Sequence, residues 1–346
     1  MPAVAEVRPP QPDADGRLIP LQTNMRRKAM NISSVFAVII AFALTVFGEK
    51  AAIPMLHRFK FGQEVRDDGP QSHLKKQGTP TMGGIVFDLA ILVTGLIFAP
   101  RYPRVLPVLF LTMGFGLTGF LDDYLKIAKH RSEGLTVKQK FAIQLVVTAL
   151  FCVYMVAMSP TRTLVKIPFT SIEWNMGWLY VPLLFLVVLG TDNGTNFTDG
   201  VDGLCASVTL PVAAFFTVAS AAYGTGIEPV AAAVMGAMMG FLVFNAHPAK
   251  VFMGDTGSLA LGGFVAGSAL MLGQPFMIII VGFIYLIEVI SVMIQVAYFK
   301  KTHGKRFFRM APIHHHFEMG GWSEGRVVAV FMCVTVILCL VGWLGI

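Results

Sequence analysis

The chain has 346 residues and a formal net charge of +7, and 55% of its residues are hydrophobic whereas only 14% are charged. Soluble domains carry about 25% charged residues, so this composition excludes an ordinary soluble protein and indicates a membrane protein. The excess of positive charge suits an anionic membrane surface or an anionic substrate.

Residues 1–31 are polar, and we expect them to form a tail outside the folded domain. Continuous apolar runs near the 20 or so residues of a spanning helix then follow, and they favour helices over the alternating pattern of a membrane β-barrel. The sequence therefore predicts an all-α, polytopic membrane protein in which 32–346 form one domain of about ten transmembrane helices. The predicted spans are 32–55, 83–99, 105–121, 141–158, 178–190, 204–222, 229–245, 257–273, 276–299 and 327–346.

Lysine and arginine are unevenly divided between the two sides of this domain. The connections 56–82, 122–140, 246–256 and 300–325 hold sixteen of them, whereas the opposite connections hold four. By the positive-inside rule the first set faces the cytoplasm, which places both termini outside it, although the basic residues of the tail oppose this orientation. The first set also adjoins most of the loop aspartates, which favours a reaction at the cytoplasmic face over transport.

The stretch FLDDYLK places Asp122 and Asp123 directly after an uncharged run, with Lys126 one helical turn later. The ordinary interpretation is a surface ion pair worth about 0.3–0.5 kcal/mol. Adjacent carboxylates where a helix leaves the bilayer repel each other, however, and need a cation. Mg²⁺ is favoured because it takes oxygen ligands from carboxylates and substrate phosphates.

The stretch GTDNGTNFTDGVDGL, residues 190–204, holds three carboxylates and two amides between Asp192 and Asp202. Such residues form ordinary turns. Their number exceeds the need of a short connection and favours a nucleotide and phosphate site, with glycines that allow close backbone approach.

Asp255 precedes the apolar run from 257, where it could cap the helix or hold the counter-cation of a phosphate at the helix N-terminus. Asn245 and His247 come shortly before it, and Phe252 suits stacking on a base. Small residues at Gly236 and Gly240, and at Gly263 and Gly267, predict close helix packing.

The stretch MAPIHHHFE contains three consecutive histidines, which cannot all face one ion, so a three-histidine zinc centre is disfavoured. Beside several basic residues they suit binding or protonating phosphate oxygens. The basic loop HLKKQGTPTMGG, with Lys75 and Lys76, suits anionic lipid or pyrophosphate. Asp88 and Glu288 lie inside predicted spans, where they serve either function or contacts between helices.

Five motifs in chain order resemble those of the polyprenyl-phosphate N-acetylhexosamine-1-phosphate transferases: GTPTMGG, FLDDYLK, TNFTDGVDGL, FMGDTGSLALGG and PIHHHFE. The resemblance covers residues 50–346. The residues of the first and last motifs, GTPTMGG and PIHHHFE, are similar to those of the branch of this family whose donor is UDP-MurNAc-pentapeptide.

This resemblance implies transfer of phospho-MurNAc-pentapeptide from UDP-MurNAc-pentapeptide to undecaprenyl phosphate, giving lipid I and UMP. It also implies Mg²⁺ as cofactor, a homodimer among lipids of the bacterial inner membrane, an active site on the cytoplasmic face, and no nucleic-acid partner.

Two positions in the motifs differ from the family's usual residue: Phe197 and Val201 stand where the family more often has leucine, and both exchanges are hydrophobic. The site residues carried over from the family motifs fall into two sets, one catalytic and one substrate-binding. Asp255 is the implied metal ligand, and the implied catalytic residues are Asp122, Asp123, Asp255, His314, His315 and His316. The implied substrate-binding residues are Lys75, Thr81, Lys126, Lys138, Asn196, Phe197, Asp199, Gly200, Asp202, Asn245, Phe252 and Gln295.

Three alternatives stay open. A sister transferase would use UDP-GlcNAc as donor. A lipid transporter would need polar groups near the midplane and on both faces. A purely structural membrane subunit would leave the loop aspartates without a role.

Overall fold

The computed structural model describes residues 21–58, 78–129 and 134–346, with side chains from residue 32 onward. The α-helices are α1 Leu21–Arg58, α2 Gly84–Phe98, α3 Val105–Ala128, α4 Val137–Ala157, α5 Tyr180–Thr198, α6 Leu204–Tyr223, α7 Glu228–Asn245, α8 Gly254–Met271, α9 Ile278–Val281, α10 Phe283–Lys301, α11 Ile313–Glu318 and α12 Glu324–Leu344. Two three-residue strands form the described β-structure: β1 Leu164–Lys166 and β2 Glu173–Asn175.

Each of the ten predicted spans coincides with helix. Eight described helices are long and apolar enough to cross a membrane, and α2 is a shorter apolar helix. The predicted polytopic, all-α membrane protein is therefore confirmed. The last span but one is broken, because a 3₁₀ turn at Pro275–Met277 and the short α9 precede α10. At the N-terminus, α1 begins at Leu21 rather than 32, since no proline or glycine interrupts the residues between them.

Helix α8 lies at the centre of the bundle, where all of its residues from Thr256 onward are buried. The predicted small-residue contacts are confirmed. A Cβ added at Gly263 would lie 2.7 Å from the Leu111 carbonyl oxygen of α3, and one added at Gly240 would lie 3.0 Å from the Phe42 carbonyl oxygen of α1. Glycine thus lets helix backbones approach closely where lipid offers no hydrophobic drive for association.

A hairpin of β1 and β2 closes one end of the bundle. Its backbone binds to two helix ends: Lys166 N–H donates to the Gly273 carbonyl at 2.8 Å, and Phe169 N–H to the Gly345 carbonyl at 3.2 Å. Gly273 follows the end of α8, whose 18 residues span about 27 Å at 1.5 Å per residue. The start of α8, with Asp255, therefore lies at the opposite end.

Helix bounds near the candidate site also differ from the predicted ones. Helix α3 continues to Ala128 and α5 to Thr198, so the polar residues Asp192 and Asn196 lie on a helix instead of in a loop. Helix α8 begins at Gly254, and Asp255 lies in its first turn without capping it. The reason is that the Asp255 carboxylate is held by lysine and asparagine side chains from other helices.

Candidate active site

The two aspartates of α3 meet the aspartate at the start of α8. Asp122 and Asp123 are buried near the end of α3, and one oxygen of each lies within 4.8 Å of the others and of an Asp255 oxygen. Lys126 Nζ lies 2.6 Å from Asp122 Oδ2 and 3.4 Å from Asp123 Oδ1. It also lies 3.0 Å from Asp255 Oδ2. The Asp122–Lys126 pair is thus part of a cluster in which one ammonium bridges three acids.

Asp123 also holds the first turn of α8. Its Oδ2 accepts hydrogen bonds from the Thr256 N–H at 2.9 Å and from the Thr256 hydroxyl at 2.8 Å. Gly254 has a φ of +71°, and a Cβ there would lie 2.6 Å from Asp123 Oδ2 and 3.0 Å from the Thr81 hydroxyl oxygen. A side chain at this position would strain the backbone and displace the carboxylate.

Asp255 receives groups from three helices. Lys126 of α3 and Lys140 of α4 each place Nζ 3.0 Å from its Oδ2, and Asn196 of α5 donates to its Oδ1 at 2.9 Å. Asn196 also donates to the Ser258 hydroxyl at 2.9 Å. The carboxylate therefore lies between two ammonium groups and an amide, in a region where charges are only partly screened by solvent.

The donor set fits a hard divalent cation. Three carboxylates converge on one point, and Mg²⁺ takes oxygen ligands, often one or two carboxylates together with substrate phosphates. Lys126 and Lys140 lie beside these carboxylates, where a point positive charge can stabilise negative charge on a bound ligand.

Lys140 is a site residue that the motifs did not supply. Lys138, which the resemblance implies, is exposed on α4 and forms none of the ion pairs of the cluster, whereas Lys140 reaches Asp255. The sequence does contain a sign of this, because Lys140, Gln144 and Thr148 repeat at intervals of four residues. The latter two are buried, so this face of α4 points inward.

A second cluster joins three distant segments. His247 Nδ1 lies 2.9 Å from Asp202 Oδ2 and 3.7 Å from Glu324 Oε2, and the Ala249 N–H donates to the same Asp202 oxygen at 3.1 Å. Asn245 braces the same loops, because its Oδ1 accepts from the Gly203 N–H at 3.1 Å and its Nδ2 donates to a backbone carbonyl. Sequence reasoning missed Glu324, which belongs to none of the five motifs.

The histidines divide into different environments. His314 is fully buried, and its Nδ1 lies 3.1 Å from Glu288 Oε1 without hydrogen-bond alignment. Its other nitrogen faces Gly200 so closely that no side chain would fit there. His315 Nδ1 lies 2.7 Å from Glu318 Oε2, and His316 Nδ1 accepts from the backbone N–H of a loop residue. Glu288, left unassigned from sequence, thus lies beside the histidine motif.

The remaining implied residues are not members of the two clusters. Gln295 accepts from the N–H groups of Phe307 and Phe308 at 3.1 and 2.9 Å, which holds the loop before the histidines. Lys75 lies outside the described residues. Thr81, Phe197, Asp199 and Phe252 are half-buried, and Thr81 lies beside Gly254 at the start of α8.

Fold and site together define a polytopic membrane protein with a carboxylate and lysine centre at one end of its bundle. The chain matches glycosyl transferase family 4 over residues 105–273, which include the three aspartates and both lysines of the centre. Residues 76–87 match the phospho-N-acetylmuramoyl-pentapeptide-transferase signature 1.

Curated relatives match nearly the whole chain. It is 49% identical over 319 residues to the phospho-N-acetylmuramoyl-pentapeptide-transferase of Acetivibrio thermocellus, covering 90% of this chain and 96% of that protein. The proteins of the same name from Clostridium kluyveri and Shouchella clausii are each 47% identical over 313 residues, covering 90% and 89% of this chain and 98% and 96% of their own lengths. The chain belongs to the phospho-N-acetylmuramoyl-pentapeptide-transferase family.

Proposed function

We propose that this protein transfers phospho-MurNAc-pentapeptide from UDP-MurNAc-pentapeptide to undecaprenyl phosphate, giving lipid I and UMP. In this reaction an oxygen of the lipid phosphate forms a bond to the sugar-bearing phosphorus of the donor. The bond from that phosphorus to the bridging oxygen breaks, and UMP leaves with that oxygen. The observation that carries the proposal is the convergence of Asp122, Asp123 and Asp255 with two lysines in a chain of this family.

Both substrates are anionic, so their approach is electrostatically opposed. Lys126 and Lys140 supply positive charge at the point where the phosphates would meet, and Asn196 supplies an amide donor. Asp122 is our candidate for the group that accepts a proton from the lipid phosphate, or alternatively for a nucleophile. Asp123, which is bound to Thr256, holds the first turn of α8 in place.

Mg²⁺ would be held by Asp255, with Asp122 and Asp123 near enough to share it. When bound, the ion would offset charge on the pyrophosphate and on the leaving group. The protein's own part is to keep the three carboxylates convergent, with Lys126 and Lys140 beside them.

The nucleotide would lie toward the loops that surround this centre. Asn196, Asp199 and Asp202 lead from α5 into the loop before α6, while Asn245 and Phe252 lie on the loop that enters α8. Their hydrogen bonds draw these loops together. We assign His315 and His316 of α11 to phosphate contacts, because they follow a basic loop and are only half-buried. The fully buried His314 would instead hold α11 against Gly200.

We place this end of the bundle in the cytoplasm of a bacterial inner membrane, with the protein acting as a homodimer. The support for the orientation is the excess of lysine and arginine in the connections at this end.

A comparison of donors tests the reaction. Purified protein in detergent is supplied with undecaprenyl phosphate, Mg²⁺ and either UDP-MurNAc-pentapeptide or UDP-GlcNAc, and the lipid product is measured. We expect lipid I from the first donor and little product from the second. Product from UDP-GlcNAc alone would favour the sister transferase, and no UMP from either donor would favour a transporter.

An exchange assay separates the two roles proposed for Asp122. Labelled UMP and UDP-MurNAc-pentapeptide are incubated with the protein in the absence of lipid acceptor. A covalent phosphosugar on Asp122 predicts exchange of label into the donor, whereas direct attack by the lipid phosphate predicts none. Exchange that persists in Asp122→Asn would remove this residue as the nucleophile.

A further inference from the structure

A buried polar pair, Gln144 and Asp192, lies about one helical turn deeper in the bundle than the carboxylate cluster. Gln144 of α4 donates through Nε2 to Asp192 Oδ2 of α5 at 2.6 Å, and both residues are buried. The second Asp192 oxygen has no hydrogen-bond partner among the described residues. A buried carboxyl with an unsatisfied oxygen costs free energy, and ordinary apolar packing would avoid that cost.

Each member of this pair lies one turn from a group that binds Asp255. Gln144 is four residues after Lys140 on α4, so the two side chains share a face of that helix. Asp192 is four residues before Asn196 on α5, with the same consequence. Lys140 binds Oδ2 of Asp255 and Asn196 binds Oδ1, so both carboxylate oxygens are held by helices that the pair links.

The helix that carries Asp255 meets the pair as well. Gly262 lies seven residues after Asp255, which is about two turns of α8 and the same face. A Cβ added at Gly262 would lie 2.5 Å from Asp192 Cα and 3.0 Å from Asp192 Oδ1, so α8 and α5 touch at this level. Three helices therefore converge at Asp192, directly beneath the atoms they deliver to the cluster.

We propose that Asp192 and Gln144 are positioning residues that set the register of α4 and α5 against α8, and thereby place Lys140 and Asn196 on Asp255. Apolar side chains between helices tolerate sliding, whereas a single short hydrogen bond in a water-poor interior is directional. This inference rests on the proposed transferase reaction and goes beyond it, because neither residue touches the cluster.

The test is a double-mutant cycle on the full-length protein in detergent. Asp192→Leu and Gln144→Leu should each lower kcat by about 10–100-fold, with KM for UDP-MurNAc-pentapeptide within about twofold, because the groups around the reacting phosphates are displaced. The double variant should be no slower than the slower single variant, since either change alone breaks the pair. Asp192→Asn keeps an acceptor for Gln144 and should recover most of the rate.

Thr148→Val is the matched control. Thr148 is buried on the same face of α4, and its hydroxyl donates to the backbone carbonyl of Gln144 without reaching α5. We expect this variant to keep wild-type kcat. A second readout needs no turnover: Mn²⁺ alone, followed by electron paramagnetic resonance of the free ion, should bind the Leu variants more weakly than wild type.

Three results would overturn the inference: normal kcat in Gln144→Leu, additive losses in the double variant, or equal losses in Thr148→Val. If Asp192→Leu fails to fold, the kcat of Gln144→Leu compared with that of Thr148→Val decides the matter. Wild-type protein in the same assay tests the reaction itself. An inactive wild type therefore counts against the proposed function, whereas active wild type with unaffected variants counts against the positioning pair alone.

Discussion

The two ends of α8 differ in how they are held. At its start, Asp255 is bound by two lysines and an amide from three other helices, and Asp123 binds the first turn. At its end, the β-hairpin is bound through the Lys166 N–H and the Gly273 carbonyl. One end depends on the identity of particular side chains, and the other mostly on backbone shape.

This difference shows where substitution should affect chemistry. A hydrogen bond between backbone groups survives most changes of side chain, whereas a cluster of three acids and two lysines changes its charge when any one of them is replaced by a neutral residue. We therefore expect variants at the start of α8 to change turnover and variants of the hairpin to change it little.

The largest effect is expected for Asp255→Asn. The amide keeps the size of the side chain but removes the charge that binds Lys126 and Lys140 and that would ligate Mg²⁺. We expect a loss of at least about 100-fold in kcat, as for removal of a group that stabilises charge in the transition state. Lipid I formation measures the rate, and thermal unfolding in detergent checks the fold; near-normal activity in a folded variant would remove Asp255 from the site.

Lys126→Met should have the next largest effect. Its ammonium touches all three carboxylates, so its removal leaves neighbouring acids without that counter-charge. We expect both a lower unfolding temperature and a fall in kcat of about 10–100-fold. Lys126→Arg keeps the charge and serves as control. Wild-type activity in the Met variant would show that this charge is not used.

Lys140→Met and Lys138→Met separate a lysine that binds Asp255 from an exposed lysine on the same helix. Lys140 binds Asp255 at 3.0 Å, whereas the Lys138 side chain is exposed. Loss of Lys140 should lower kcat by about tenfold. Loss of Lys138 should act mainly on KM, because an exposed charge contributes through long-range attraction of the anionic donor. Steady-state kinetics at one ionic strength compare the two, and a larger kcat loss at Lys138 would contradict the arrangement described.

The smallest effect is expected in the hairpin. Trp174 is exposed on β2 and pairs with Val165 through its backbone. Trp174→Ala should leave kcat and KM within about twofold and shift stability by no more than about 0.5 kcal/mol, as for exposed positions. The same kinetic assay applies. A loss of kcat in Trp174→Ala as large as that in Lys140→Met would contradict the expected difference between the two ends of α8.

Much of the fold could be predicted from sequence, because membrane helices are recognisable as long runs of apolar residues. The small-residue pairs on α7 and α8 also predicted close packing correctly. The extension of α5 through Asp192 and Asn196 could not be read in this way, since Asn, Asp and Gly favour turns unless tertiary contacts hold them in a helix. The hairpin was missed because three-residue strands carry too little periodicity.

The candidate site was predictable as residue types but not as contacts. Asp123 and Thr256 are separated by 133 positions, and Lys140 and Asp255 by 115, so no local pattern pairs them. Family motifs supplied the three aspartates, while Lys140, Gln144 and Glu324 belong to none of the motifs. Lys140 and Gln144 lie on the face of α4 that points into the bundle. Glu324 lies at the start of α12, close to His247 in the loop before α8.

Release of UMP reports directly on metal-assisted transfer at the carboxylate cluster. Purified protein is incubated with UDP-MurNAc-pentapeptide, undecaprenyl phosphate and Mg²⁺, and UMP is measured before and after EDTA. The three carboxylates and two lysines at the start of α8 predict UMP release that needs the lipid acceptor, stops with EDTA and returns with added Mg²⁺. Release that continues unchanged in EDTA would contradict a metal-assisted transfer at this centre.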